Sequence, residues 1–138
     1  MQINTNDTDN TNSKNKKDDL IYEELTYKIN GVLFATHNEL GCYAKEKQYA
    51  EVAARIFGER HLSLEREVII GDSGNIVDGI VEKKVLVEYK AKRIVTKDDY
   101  FQTQRYLQET GLKICILVNF RDKYIKPKRI VRIDNWER

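Results

Sequence analysis

The chain has 138 residues, of which 41% are hydrophobic and 33% charged, with a formal net charge of +2. That length suits one domain with a single core, and no apolar run reaches the length of a membrane span. Two cysteines without metal-ligand spacing argue against a disulfide framework or a zinc site, and a near-neutral balance leaves any affinity for nucleic acid to local clusters.

Residues 1–19 are rich in Asn, Thr, Asp and Lys with almost no apolar side chains, so a disordered tail is expected there, followed by a single domain over 20–138. The same polar stretch offers no hydrophobic segment of a secretory signal. Cys42 and Cys115 fit a reducing, cytoplasmic setting, and Cys115 is expected to be a small buried residue.

From Leu20 onward, Leu25, Ile29, Val32, Leu33, Thr36 and Leu40 recur at spacings of three and four. This predicts an amphipathic helix ended by Gly41, with Asp18 or Asp19 as its cap. Gly31 inside it is expected to allow a neighbouring element to approach closely. A second helix is predicted from about Ala44 to Arg60, with Tyr49, Val52, Ala53, Ile56 and Phe57 as its buried stripe. Glu46 shares a helix face with Tyr49. It is either a carboxylate ligand at the border of a buried face or an ordinary first-turn Glu interacting with the helix dipole.

Leu64–Ile70 alternates and predicts a strand, and Gly71-Asp72-Ser73-Gly74-Asn75 is a turn signal. Ile76–Val81 and Val85–Lys90 then form a hairpin across Glu82-Lys83-Lys84. Pairing across it places Asp78 close to Glu88. Leu86, Glu88 and Lys90 share one face of the returning strand; Val85, Val87 and Tyr89 share the other. Two carboxylates and an ammonium at the edge of a buried strand are costly unless they are paired or bind a cation. Hard oxygen ligands of this kind suit Mg²⁺ or Mn²⁺, with Lys90 beside the water or the attacked phosphate. The alternative is a solvated face with weak cross-strand pairs.

A third helix is predicted from Lys97 to Thr110, with Thr96 as N-cap, Asp98 and Asp99 in the first turn, and Gly111 as the stop. Gln102 and Tyr106 are four apart on one face, and Gln102 suits a phosphate, a base edge or Lys90. Lys90, Lys92, Arg93 and Lys97 cluster at the strand end, where they either hold phosphates or guard a sheet edge. Ile114–Phe120 predicts a buried strand. Ile125–Ile133 predicts a last, basic strand in which Pro127 calls for an edge or a bulge. His37 is expected to be structural or an exposed helical residue. The order is helix, helix, three strands, helix, strand, strand. It implies an α/β domain: a small mixed sheet with one parallel βαβ unit, flanked by helices.

In this order and spacing the residues resemble the PD-(D/E)XK nuclease-like superfamily and, within it, the small GxxExxY proteins. The likeness runs from about Leu25 to Val131. It includes Glu24-Leu25-Thr26-Tyr27-Lys28-Ile29, His37-Asn38-Glu39-Leu40-Gly41, Glu46 with Tyr49, and Glu65-Arg66-Glu67-Val68. It continues with Asp78, Glu88-Tyr89-Lys90-Ala91, Gln102 with Tyr106-Leu107, Thr110-Gly111-Leu112-Lys113 and Val118-Asn119-Phe120. The resemblance implies a restriction-endonuclease-like core. In it Asp78 and Glu88 would coordinate Mg²⁺, Lys90 would assist the nucleophilic water, and Glu46 would match the helical carboxylate of the site. Gln102 and Tyr106 match a Gln-x-x-x-Tyr element of RecB-type nucleases, where these residues support the site and the nucleic acid. Two positions depart from the pattern. Cys42-Tyr43 stands where Pro-Gly is usual, and Val77 rather than Pro precedes Asp78.

The expected function is a Mg²⁺-dependent phosphodiesterase acting on DNA or RNA, with a homodimer as a further expectation. The rivals are a non-catalytic nucleic-acid- or protein-binding module on the same fold, and an interaction protein that dimerises through its edge strand.

Overall fold

The computed structural model describes residues 21–136. The tail expected over 1–19 lies outside these residues; the first helix begins at Glu23, and Tyr22, with a left-handed φ of 52°, stands at its N-cap position instead of the expected Asp18 or Asp19. The elements are α1 (Glu23–Leu40), α2 (Glu46–Glu59), β1 (Leu64–Ile70), β2 (Asn75–Val81), β3 (Val85–Lys90), α3 (Lys97–Thr110), β4 (Ile114–Asn119) and β5 (Lys128–Val131). They follow the predicted order. The five strands form one sheet in the order β1-β2-β3-β4-β5. Only β3 and β4, joined by the crossover helix α3, run parallel; the other three pairings are antiparallel. This is the restriction-endonuclease-like α/β core expected from the sequence.

Hydrophobic burial explains the layering. On one face, Ile29 and Leu33 of α1 and Tyr49 and Phe57 of α2 pack on Val85, Val87, Tyr89, Ile116, Val118 and Phe120. On the other, Tyr106 and Leu107 of α3 pack on Val77, Leu86 and Cys115. β3 therefore obeys the predicted alternation, and all six residues of β4 are buried, as a strand covered on both faces requires. Gly31 allows the expected close approach: a Cβ there would meet Nη1 of Arg60 at 3.2 Å.

Two predicted strands behave differently. β1 does not alternate throughout. Leu64 packs with the α1/α2 cluster, whereas Val68 and Ile70 pack with the α3 cluster. Even spacing would keep all three on one face. The inversion falls at Glu67, whose φ of 50° is left-handed. On β2, Val77 and Ile80 join the α3 cluster while Val81 joins the other. The β1–β2 ribbon thus turns over around Asp78, where the register passes from Arg66↔Gly79 to Val68↔Val77. The last strand is also shorter than the predicted Ile125–Ile133. Pro127 has no N–H to donate, and Ile125 is buried in the α1/α2 cluster, so pairing begins only at Lys128. Among the described residues, no helix is long and apolar enough to cross a membrane.

Candidate active site

The β2–β3 ladder pairs Val81 with Val85, Ile80 with Leu86 and Gly79 with Val87, and then stops. Beyond it, carboxylates replace carbonyls as acceptors. The backbone N–H of Asp78 donates to Oε2 of Glu88 at 2.7 Å, and the backbone N–H of Tyr89 donates to Oδ2 of Asp78 at 2.7 Å. Each acid satisfies a donor on the opposite strand. The loss of main-chain pairing that opens the sheet here therefore leaves neither N–H orphaned.

Glu88 is only 5% exposed. Burial, and after it the charge of Asp78, push its carboxyl up to about 8. Asp78 is also raised, first by burial and further by the charge of Glu46; the Tyr89 N–H, Lys90 and a side-chain hydrogen bond with Glu88 oppose the rise. Two like charges this close and this poorly solvated do not both ionise near neutral pH, so the pair retains a proton. A divalent cation is the natural replacement for that proton. The donors are carboxylate oxygens, so this pair fits a hard ion such as Mg²⁺ or Mn²⁺.

Lys90 projects from β3 on the same face as Glu88. Its ammonium donates to Oε1 of Gln102 at 3.1 Å and lies 3.8 Å from Oδ1 of Asp99. α3 positions both partners. Thr96 caps the helix, and its N–H and Oγ1 donate to Oδ2 of Asp99. Lys92 reaches the same oxygen at 2.8 Å. Burial raises the Asp99 carboxyl, but the Lys92 hydrogen bond and the Thr96 N–H outweigh it, and the net shift is downward. Asp99 is thus a fixed negative charge between two lysines. Asn119 clamps the strand end from β4: its Oδ1 accepts from the Lys92 N–H at 3.1 Å, and its Nδ2 donates to the Lys92 carbonyl at 2.7 Å.

The structure brings Asp78, Glu88, Lys90 and Gln102 together. It does not bring Glu46 into the same cluster: among the described residues, no three His, Cys, Asp or Glu side chains group as a metal site. The Tyr49 ring stacks on Phe120 at 4.2 Å, and its hydroxyl donates to the Gly41 carbonyl and accepts from the Ala44 N–H. Glu46, one turn earlier on the same face at the start of α2, is exposed. Its charge is still felt by both Asp78 and Glu88.

Tyr106, expected to support the site and the nucleic acid, is a core ring, 6% exposed and packed with Leu86, Leu107 and Cys115. Burial raises its hydroxyl, as do the charges of Glu88 and Asp78. Arg93 and Lys97 are exposed, while Lys92 is committed to Asp99. His37 is structural, with Nε2 hydrogen-bonded to the Asp122 carbonyl at 2.8 Å.

Sequence reasoning missed Asp99 and Asn119 as site residues. The signal for Asp99 was present. Thr96 and Asp99 have the spacing of a capping box, and Asp99 and Gln102 are three apart on one face of α3. Asn119 had no local signal, because its partner Lys92 is 27 residues away in the chain.

Searches of curated proteins and of solved structures return no match to this chain. Residues 23–133 match the family model of the PD-(D/E)XK nuclease superfamily, and with the acid pair and Lys90 on adjoining strands of this sheet, the chain belongs to that superfamily.

Proposed function

We propose that this protein is a nuclease of the GxxExxY type that hydrolyses phosphodiester bonds in DNA or RNA, with Mg²⁺ or Mn²⁺ held between Asp78 and Glu88. The convergence of these two carboxylates, Glu88 buried and Asp78 half-buried, beside Lys90 carries the reading. A cation held there by Asp78 and Glu88 would offset negative charge on the phosphate oxygens and make water a better nucleophile. Lys90 orients that water or stabilises charge on the phosphate oxygens. Gln102 takes one of the ammonium's hydrogen bonds and keeps it from collapsing onto Asp99. Glu46, exposed at the start of α2, holds solvent around the cation. Arg93 and Lys97 meet the nucleic-acid backbone, Lys92 steadies Asp99, and Tyr106 supports the site. Two free cysteines, Cys42 and Cys115, suit a reducing cytoplasm.

The test is cleavage of single-stranded, duplex and branched substrates with Mg²⁺ by the wild type and by Asp78→Ala. The expected loss in the variant is several orders of magnitude, with the fold retained by circular dichroism. Wild-type protein that cleaves nothing on this panel, and takes up no Mg²⁺ by calorimetry, would sink the proposal.

The exposed position of Glu46, outside any three-acid cluster among the described residues, favours a second reading. In it the chain is a non-catalytic nucleic-acid- or protein-binding module. Binding would then survive Asp78→Ala and need no metal.

A further inference from the structure

The C-terminal ends of β3 and β4 open between two loops, residues 41–45 before α2 and 120–127 after β4. The loops are adjacent: His37 bonds the Asp122 carbonyl, and the Arg121 guanidinium lies 5.7 Å from the centre of the Tyr43 ring. Tyr43 is 84% exposed and Tyr124 75% exposed, the latter with the Lys123 ammonium 5.5 Å from its ring. Neither ring serves the core. Phe120, the neighbour of Arg121, donates its N–H to the Lys90 carbonyl at 2.8 Å, so the Arg121 contact ties Tyr43 to the strand end that carries the site.

On the α3 side, a cleft of about 290 Å³ is lined by Arg93, Tyr100, Asn119, Lys126 and Lys128, with Asp122 as its one acidic residue. Asn119 makes it continuous with Lys92 and hence with Lys90. Among the described residues, Arg93, Arg121, Lys126 and Lys128 form no ion pair, and Nε of Arg121 is buried without a hydrogen-bond partner. In a chain of net charge +2, this positive end is a local concentration. Cations alone would track the phosphates of any nucleic acid. Free-standing aromatic rings offer more to bases that are not already stacked in a duplex.

We propose that this site takes a strand with unpaired bases. Tyr43 and Tyr124 stack on bases at the site entrance, and Arg93, Lys126 and Lys128 hold phosphates along the cleft. The inference rests on the nuclease reading for its substrate chemistry, and binding without metal tests it separately.

The experiment is fluorescence anisotropy of the full chain in EDTA, with short labelled single strands of DNA and of RNA and with the matching duplexes. Single strands should bind about tenfold more tightly than duplexes. Tyr43→Ala and Tyr124→Ala should each weaken single-strand binding about tenfold, while Tyr→Phe at either position restores it. Lys126→Gln and Lys128→Gln should each lower the slope of log affinity against log salt by roughly 0.7. Duplexes bound as tightly as single strands, or alanine variants that bind like the wild type, overturn the inference. Both rings are exposed, so thermal melts should confirm that the variants are folded. Tight, tyrosine-dependent binding without any cleavage would remove the nuclease reading alone; efficient cleavage with duplex preference would remove this inference alone. The DNA and RNA arms identify the sugar.

Discussion

Asp78 and Glu88 each complete the other's strand: Oε2 of Glu88 accepts from the Asp78 N–H, and Oδ2 of Asp78 accepts from the N–H of Tyr89, the residue after Glu88. The same two groups that crowd negative charge into the sheet also satisfy the donors left where the ladder ends. Hydrogen bonds from N–H to carboxylate are stronger than neutral ones, and they offset part of the cost of burying the acids. The pair is therefore held in place by the backbone before any ligand arrives.

Stability without divalent cations should depend on pH through Glu88. Its folded value of about 8 lies above its unfolded value of 4.5. The folded state therefore binds the proton more tightly. This contribution is fully present below pH 4.5 and is lost as pH rises through about 8. Asp99 acts in the opposite direction: its lowered carboxyl contributes above its unfolded value and is lost as pH falls through the folded one. Urea denaturation in EDTA should show stability falling by a few kcal/mol across the neutral range. Glu88→Gln keeps an acceptor for the Asp78 N–H and should flatten that fall. An unchanged slope in the variant would refute the assignment.

Gln102→Leu removes the acceptor at 3.1 Å from Nζ of Lys90 while leaving Asp99 at 3.8 Å. The ammonium should swing toward Asp99 and away from Glu88. Steady-state kinetics should show kcat reduced by about 10- to 100-fold with KM little changed, as expected when a group acting mainly in the transition state is mispositioned. A rise in KM alone would place Gln102 in substrate binding instead.

Gly79→Ala tests the packing beside Asp78. An added Cβ would lie 2.8 Å from Cδ1 of Leu64, 3.1 Å from Cγ2 of Val87 and 3.3 Å from the Glu65 carbonyl. The side chains on both neighbouring strands must give way, which costs about 1–3 kcal/mol. Urea denaturation measures this directly, and cleavage should fall as well, because Asp78 is the adjoining residue. A variant as stable as the wild type would show that β1 relaxes freely at this point.

Much of the molecule was legible in the chain. Periodicity of three and four marked the helices, and the apolar run of β4 marked a strand covered on both faces. Alternation along Val85–Lys90 put Glu88 and Lys90 on one face, because side-chain direction within a regular strand is a local property. Spacing across the Glu82-Lys83-Lys84 turn likewise brought Asp78 to Glu88, since a short hairpin fixes its own register.

Other features belonged to contacts between distant segments. The left-handed Glu67 turns β1 over opposite Asp78, an event that hydrophobic alternation cannot anticipate. Tyr106 is buried because α3 lies directly on Leu86 and Cys115, whereas Glu46 at the start of α2 stays exposed. Asn119 meets Lys92 only because β3 and β4 run parallel and end side by side. The sequence by itself determined the elements, their order and the pairing of acids across one hairpin, all governed by short-range stereochemistry. The tertiary structure decided burial and therefore the raised carboxyls, because desolvation depends on every element packed around a group rather than on its neighbours in the chain.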